Sequence, residues 1–317
     1  MTVKSQILEI LEKNRDTDVS GEYMAGVIGV SRNSVWKAIN ALRLDGYDIL
    51  SSTNKGYRLA ADCDIISAEG IRVGMSYQIP VFTYKTTDST NVRAKRYLAE
   101  NDCDRAVFAA EGQTAGRGRM GRSFYSPYGS GVYMSYVFSP KTEVANTVSV
   151  TAAASVAVVR ALEKTCGVHP MIKWVNDIYL DEKKLCGILT EAVSNYETGI
   201  VEHVIIGIGI NFSVLSFPEE LADKACSLSV SGVTRNMLIA SVCDELYGIS
   251  KDLSDKSFFE TYRERMLVIG RDITYYENSQ PHSAHVLDVD QNGGLIVCGS
   301  DGREKILRSG EITVRFN

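Results

Sequence analysis

The stretch Glu111-Gly112-Gln113-Thr114-Ala115-Gly116-Arg117-Gly118-Arg119-Met120-Gly121-Arg122 sets four glycines and three arginines within the eleven residues from Gly112. Glycine lets a backbone approach a ligand closely. Arginine forks suit carboxylate and phosphate oxygens, two bonds at a time. Together they describe a loop that folds over an anion. It is not a Walker loop, because Gly-x-x-x-x-Gly-Lys-Ser/Thr is absent. A solvated basic loop is the plain alternative.

Three further segments bear on that loop. Ile172-Lys173-Trp174-Val175-Asn176-Asp177-Ile178-Tyr179-Leu180, a turn, and Lys184-Leu185-Cys186-Gly187-Ile188-Leu189 read as a hairpin carrying Lys173, Asp177 and Lys184. An acid among lysines can meet a metal–phosphate group and a carboxylate, or form ordinary surface ion pairs. In Val204-Ile205-Ile206-Gly207-Ile208-Gly209-Ile210-Asn211-Phe212, a strand places Ile206, Ile208, Ile210 and Phe212 on one face and Gly207, Gly209 and Asn211 on the other. The first face belongs to a core. The second leaves room for a flat ligand or for a tightly packed helix. Asp88-Ser89-Thr90-Asn91 precedes a helical run, where Ser89 or Thr90 is a natural N-cap.

The flanks differ from this middle. Residues 1–60 read as three helices and a hairpin. Gly29 ends the second helix and Ser31 caps the third, which turns Val35, Ile39 and Leu42 inward. Ile49–Ser52 and Gly56–Leu59 flank the turn Thr53-Asn54-Lys55. Helix, glycine turn, helix and hairpin form the pattern of a winged helix-turn-helix. Arg32, Asn33, Trp36, Lys37 and Asn40 fall off the buried stripe of the third helix. Arg32 and Asn33 suit base edges, with Lys37 and the wing residue Lys55 suited to phosphates. Trp36 is expected to pack between helices.

From about 67 to 266 helices and strands mix irregularly. Strands are expected at Val107–Glu111, Gly131–Phe138, Met171–Trp174, Asp177–Leu180, Leu185–Ala192 and Val204–Phe212, and helices at Asn91–Glu100, Ser149–Cys166 and Arg235–Leu253. That order indicates an α+β fold. Residues 267–317 hold five short alternating runs: Asp272–Tyr276, Ala284–Val289, Leu295–Cys298, Glu304–Leu307 and Glu311–Arg315. Asn292-Gly293-Gly294 and Asp301-Gly302 are turn signals between them, and the five runs predict a small β-barrel. Three domains follow: 1–62, 67–266 and 267–317.

Composition sets outer limits. The 317 residues are 44% hydrophobic and 23% charged, as in a globular protein. Net charge is −5, which argues against a protein that coats nucleic acid. Residues 1–60 carry 8 basic against 7 acidic residues, leaving 26 against 32 in the remainder. The first domain is thus electrically distinct but only mildly basic. Seven cysteines at wide spacings, with no Cys-x-x-Cys, read as buried thiols. No run approaches a membrane span and no apolar leader precedes the first helix, so a cytoplasmic location without membrane contact is expected.

The order Asp-Ser-Thr-Asn, Gly-Arg-Gly-Arg-x-Gly-Arg, Lys-Trp-x-Asn-Asp, Lys-x-x-Gly-Ile-Leu and Gly-Ile-Gly-Ile-Asn resembles the biotin–protein ligase family over about residues 80–215. The flanking domains match the layout of its bifunctional ligase–repressor members. The resemblance implies a class II synthetase-like ligase domain and an SH3-like C-terminal barrel. It implies that Ser89, Thr90, Asn91, Gln113, Arg117, Gly118, Arg119, Lys184, Gly187, Gly207 and Gly209 bind biotin. Arg119, Arg122, Phe124, Lys173, Asn176 and Asn211 would bind ATP or the adenylate. Arg119, Lys184 and Asp177 would be catalytic, with Asp177 near Mg²⁺. Arg32, Asn33, Lys37, Asn40 and Lys55 would bind DNA. Biotin and ATP would be substrates. A biotin carboxyl carrier protein, operator DNA and, once adenylate is bound, a second copy of the chain would be partners. Two positions depart from the family: Val175 stands where Pro is frequent, and Phe124 where Trp is common. The alternatives are a lipoate–protein ligase, a ligand-sensing transcription factor without catalysis, and a ligase whose first domain does not bind DNA. The set Lys173, Asn176, Asp177 and Lys184 argues against the second, and the charge of only +1 keeps the third open.

Overall fold

The computed structural model describes residues 1–53, 55–140, 147–195, 197–277, 280–308 and 312–314. In the first domain α1 (Val3–Lys13), α2 (Gly21–Ile28) and α3 (Arg32–Leu44) precede the hairpin β1 (Ile49–Ser52) and β2 (Gly56–Leu59). Its helix ends follow the capping chemistry of the sequence. Ser20 accepts from the Tyr23 amide and Ser31 from the Ser34 amide, and Gly29 closes α2 at φ 78°. Ile7, Leu11, Met24, Val35, Ile39, Leu42 and Leu59 form the core. A strand bridge joins Val19 to Tyr57 beneath the wing. Only glycine fits at 56, where φ is 118° and a Cβ would lie 2.1 Å from Val19 O. Of the turn Thr53-Asn54-Lys55, residue 54 lies outside the described residues.

Trp36 corrects the sequence reading. Its side chain is 53% exposed on the outer face of α3, beside exposed Arg32, Asn33 and Lys37. Val35 and Ile39 already fill the inner stripe, so the intervening ring turns outward.

The middle of the chain runs α4 (Ala68–Gly74), β3 (Val81–Tyr84), α5 (Thr90–Leu98), β4 (Arg105–Ala110), β5 (Gly131–Phe138), α6 (Thr147–Cys166), β6 (Met171–Lys173), β7 (Asp177–Leu180), β8 (Lys183–Ser194), β9 (Val201–Asn211), α7 (Glu219–Ala222), α8 (Arg235–Ser250) and α9 (Phe258–Glu264). Seven strands form one sheet in the order β3-β4-β5-β9-β8-β7-β6, antiparallel except for β3 with β4. α6 and α8 pack together over one face, with Ile206, Ile208, Ile210 and Phe212 in that core. Ala94 of α5 meets Phe108, Val137 and Ile205 on the other face. The alternation read in Val204–Phe212 is therefore realised, with Gly207 and Gly209 on the α5 side.

The last strands are β10 (Asp272–Glu277), β11 (Gln280–Val289), β12 (Leu295–Gly299), β13 (Glu304–Leu307) and β14 (Ile312–Val314). They form an antiparallel sheet ordered β13-β12-β11-β10-β14. Among the described residues β13 and β14 do not pair, so the expected closed barrel is replaced by an open sheet. Of the expected strand Glu311–Arg315, both end residues lie outside the described residues. Ile273, Val286, Leu295 and Val297 share one apolar cluster with the middle of the chain.

A buried ionic cluster joins the first domain's exit to the sheet. Arg235, 2% exposed at the start of α8, reaches Asp64 at 2.8 Å and Glu111 at 2.7 Å. Glu111 also accepts from the Ile66 amide at 2.6 Å. A guanidinium this buried needs both carboxylates.

Candidate active site

A cavity of about 290 Å³ opens on the α5 side of the sheet. Its floor is β8 and β9, where Gly187 pairs with Gly209 and Leu189 with Gly207. The missing side chains have a use. A Cβ at Gly207 would lie 2.3 Å from Asn91 Oδ1, and one at Gly209 would lie 2.5 Å from the Phe124 ring. The space over the glycines is thus occupied by Asn91 of α5 and by Phe124 of the glycine-rich segment.

The glycine-rich segment folds across the cavity. Gly118 N donates to Arg122 O at 2.7 Å, and Phe124 N to Gly116 O at 2.9 Å. Glycine is required at 116, where a Cβ would lie 2.5 Å from Phe124 O. Between these ties Arg119–Gly121 makes a short 3₁₀ turn, with Met120 at φ 56° and its side chain in solvent. Arg119 donates to Asn176 Oδ1 at 3.0 Å, which joins the segment to the β6–β7 turn.

The two ends of the cavity differ in charge. At one end Lys184 Nζ lies 2.7 Å from Asp177 Oδ1 across neighbouring strands. Lys173 donates to the Tyr179 hydroxyl at 3.3 Å. Burial, aided by Asp177, pushes that phenol up to about 12. Burial also raises the thiol of Cys186, which pairs with Ile178 and belongs to the apolar core rather than to the cavity lining, and keeps it neutral. The other end is uncharged. Thr90 N donates to Gln113 Oε1 at 2.9 Å, and Gln113 Nε2 to Ser126 Oγ at 3.0 Å. Ser135, fully buried on β5, lies 2.8 Å from Thr90 Oγ1 and 2.6 Å from Asn91 Oδ1. Outside the cavity, burial works against the charge of Asp88, but the Ser89 amide, the Thr87 hydroxyl and Arg96 together hold its carboxyl below the usual range.

One neutral, hydrogen-bonding end and one cationic end with a single acid suit an elongated ligand with a polar head and a carboxylate tail. The described residues contain no group of three or more His, Cys, Asp and Glu able to hold a metal ion. Asp177 Oδ1 is buried beside Lys184 without an aligned hydrogen bond. One carboxylate fits a magnesium ion that arrives on phosphates, because that ion keeps most of its ligands as phosphate and water.

The model of the Biotin/lipoate A/B protein ligase family matches residues 83–211, and that of an HTH domain matches residues 3–58. A protein of Bacillus subtilis (strain 168) named "Bifunctional ligase/repressor BirA" is 33% identical over 322 residues, covering 96% of this chain and 97% of its own. Its namesake in Bacillus spizizenii is 37% identical over 72% of this chain and 71% of its own length. The chain belongs to the bifunctional ligase/repressor family. A solved biotin protein ligase from Aquifex aeolicus, in complex with biotin and ATP, superposes with a TM-score of 0.62 at 27% identity, covering 76% of this chain and all of that one.

Within this family member the cavity collects Ser89, Thr90, Asn91, Gln113, Arg117, Gly118, Arg119, Arg122, Phe124, Lys173, Asn176, Asp177, Lys184, Gly187, Gly207 and Gly209. Of the expected adenylate residues only Asn211 stands outside it. Asn211 lies at the end of β9, and its amide turns to Lys184 O at 3.5 Å. The sequence reading missed Ser123, Met134, Trp174, Ile188, Leu189, Ile208 and Ile312. Ile312 comes from β14, over a hundred residues from β9, and no local signal connects them. Trp174 Nε1 donates to Gly293 O at 2.8 Å, tying the C-terminal sheet to the same wall.

Proposed function

We infer that this chain is an ATP-dependent biotin–protein ligase that is also a biotin-responsive transcriptional repressor. The observation that carries the ligase half is the cavity's polarity: hydrogen-bonding groups without charge at one end, and Arg119, Lys184 and Asp177 at the other. A cyclic urea with a carboxylate tail matches both ends. A lipoate head, which has no N–H groups, leaves the Thr90–Gln113 end without partners.

The reaction follows from the chemistry of a carboxylate, which is a poor acylating agent. The biotin carboxylate attacks the α-phosphorus of ATP, a P–O bond to pyrophosphate breaks, and biotinyl-5′-AMP forms. A lysine amine of a biotin carboxyl carrier protein then attacks the acyl carbon and expels AMP. Negative charge grows on the phosphate oxygens in the first step. Arg119 and Lys184 stabilise it by preorganised charge. Asp177 is the residue that would hold a Mg²⁺ ion brought in by ATP, and that ion would supply further neutralisation of phosphate charge. Lys173, Asn176 and Arg122 bind the nucleotide side, and Phe124 offers its ring to the adenine. Ser89, Thr90, Asn91, Gln113, Arg117 and Gly118 hold biotin over Gly187, Gly207 and Gly209. The segment 116–122 excludes water while the mixed anhydride waits.

The repressor half rests on the first domain. Arg32, Asn33, Lys37 and Asn40 line the outer face of α3, and Lys55 sits in the wing. A domain of charge +1 binds DNA weakly alone, so the operator complex is a dimer formed when the adenylate is bound. The working divisions are 1–62, 67–266 and 267–317, the last read as an SH3-like module from its five short antiparallel strands. Free cysteines and the use of ATP go with a cytoplasmic site of action. Among the described residues no helix is long and apolar enough to cross a membrane.

The test offers the purified chain biotin and lipoate together with ATP and Mg²⁺, and detects adenylates by mass spectrometry. The expected product is biotinyl-5′-AMP with pyrophosphate. A lipoyl adenylate in equal yield overturns the assignment of the neutral end.

A further inference from the structure

Trp36 stands on the outer face of α3 with 53% of its surface in solvent, whereas the chain's other tryptophan, Trp174, is 4% exposed. The inner stripe of α3 is already filled by Val35, Ala38, Ile39 and Leu42. Among the described residues the Trp36 indole makes no hydrogen bond and no ring contact. Its N–H and both ring faces are open to a ligand. We propose that Trp36 is a specificity-determining residue of the DNA-binding face, and that its ring reads the C5 methyl group of a thymine in the major groove. The proposal rests on the repressor reading and deepens it.

Charge selects the partner. Helix α3 carries Arg32, Lys37 and Arg43 and no acidic residue, and Asp45 at its C-cap is paired with Lys4. The domain's net charge therefore understates the positive potential along this helix, where a polyanion is attracted. Helix geometry then places the ring. Arg32, Trp36 and Asn40 are spaced by four, so they form one row along α3. Each interval rises about 6 Å, close to two base-pair steps of about 3.4 Å. A ring between two residues that enter a groove enters it with them. Arg43, two turns after Trp36 and on the same side, donates to Ile49 O and to Ser51 Oγ, each at 2.6 Å. Trp36 thus lies on the side of α3 that faces the wing strand β1. Chemistry finally selects the contact. In the major groove guanine, cytosine and adenine present only donors and acceptors, and thymine adds a methyl. A ring face gives little to a polar edge and covers a methyl well. Phosphates call for cations instead, and Lys37 and Lys55 supply those.

The test begins with the full chain, saturated with biotinyl-5′-AMP, selecting its highest-affinity duplex from a random-sequence library. Thymines of that duplex are then replaced one position at a time by deoxyuridine, which removes the methyl and leaves every hydrogen-bonding edge unchanged. The parent chain, Trp36→Ala and Trp36→Phe are titrated against each duplex by fluorescence anisotropy. At one thymine position of the half-site the parent is expected to lose affinity about four-fold per methyl. Trp36→Ala is expected to bind the thymine and uracil duplexes equally, and Trp36→Phe to keep part of the preference. A uracil effect of the same size in parent and Trp36→Ala overturns the proposal, as does a parent indifferent to every uracil. A Trp36→Ala chain that weakens selected and random duplexes alike assigns the ring to the sugar–phosphate backbone and overturns it too. A second readout needs no variant. Trp174 is buried, so the emission that acrylamide quenches belongs to Trp36. That quenching is expected to fall when the parent binds the selected duplex, and unchanged quenching overturns the contact. A parent that selects no sequence overturns the repressor reading instead, so the two failures are distinguishable.

Discussion

Lys184 Nζ stands 2.7 Å from Asp177 Oδ1 because β7 and β8 place Asp177 opposite Gly187. A Cβ at 187 would lie 3.4 Å from that ammonium. The missing side chain therefore leaves Lys184 a clear path along the sheet to its acid. The pair marks the cationic end of the cavity, one strand repeat from Asn91, which lies over Gly207.

Replacing Lys184 by Ala removes a positive charge from beside the developing phosphate charge. The expected loss is a few kcal/mol of transition-state stabilisation, roughly 10²-fold or more in the single-turnover rate of adenylate formation. Rapid-quench measurement at saturating biotin and ATP checks it. An unchanged rate removes Lys184 from the chemistry.

Arg119 ties the glycine-rich segment to Asn176. Its replacement by Gly should affect retention of the intermediate more than its formation, since a segment with fewer charge-assisted bonds opens more readily. Free biotinyl-5′-AMP in the filtrate after rapid gel filtration is the expected result. Retention equal to that of the parent chain contradicts the clamp.

Much of this site could be read before the fold was known, for identifiable reasons. Strand alternation assigned Ile206, Ile208 and Ile210 to the core and Gly207 and Gly209 to the open face, because the period of two leaves no other arrangement. Helix α3 was legible from Ser31 and Gly29, whose caps depend on neighbouring residues alone. Long-range assembly was not legible. Nothing near Ile312 says that it reaches the wall of a cavity floored by β9. Nothing near Ser135 or Glu191 says that both meet Asn91. Trp36 was misplaced because an aromatic residue on an amphipathic helix invites burial, whereas Val35 and Ile39 had already filled the stripe. The barrel was expected from strand count, and strand count does not say whether the outer strands meet.

Biotinyl-5′-AMP should promote self-association more than biotin does. The adenylate carries a phosphate on which Arg119 and Arg122 can close, and a ligand that binds the dimer better stabilises it by that difference. Sedimentation equilibrium with each ligand at saturation checks this. Equal dimerisation with both contradicts it.

On DNA, Arg32 begins α3, the part of such a helix that meets base edges, and Lys55 lies in the wing. Arg32→Ala is expected to cost about 1–3 kcal/mol at the operator and to relax one base position. Lys55→Ala should weaken all sequences alike and lower the salt slope by about one. Deleting residues 1–62 should abolish DNA binding and leave adenylate formation intact, since Asp64 and its tie to Arg235 remain. Fluorescence anisotropy over a salt series separates these effects. A full-length, adenylate-bound chain with no sequence preference in genomic pull-down contradicts the repressor half.

The most direct measurement of the central claim is transfer itself. The full chain is incubated with biotin, ATP, Mg²⁺ and the lysine-bearing domain of a biotin carboxyl carrier protein, and the acceptor is followed by intact mass. The account predicts a gain of one biotin less one water on a single lysine, dependent on ATP and lost with Lys184→Ala. An acceptor that stays unmodified while the chain accumulates no biotinyl-5′-AMP would contradict it.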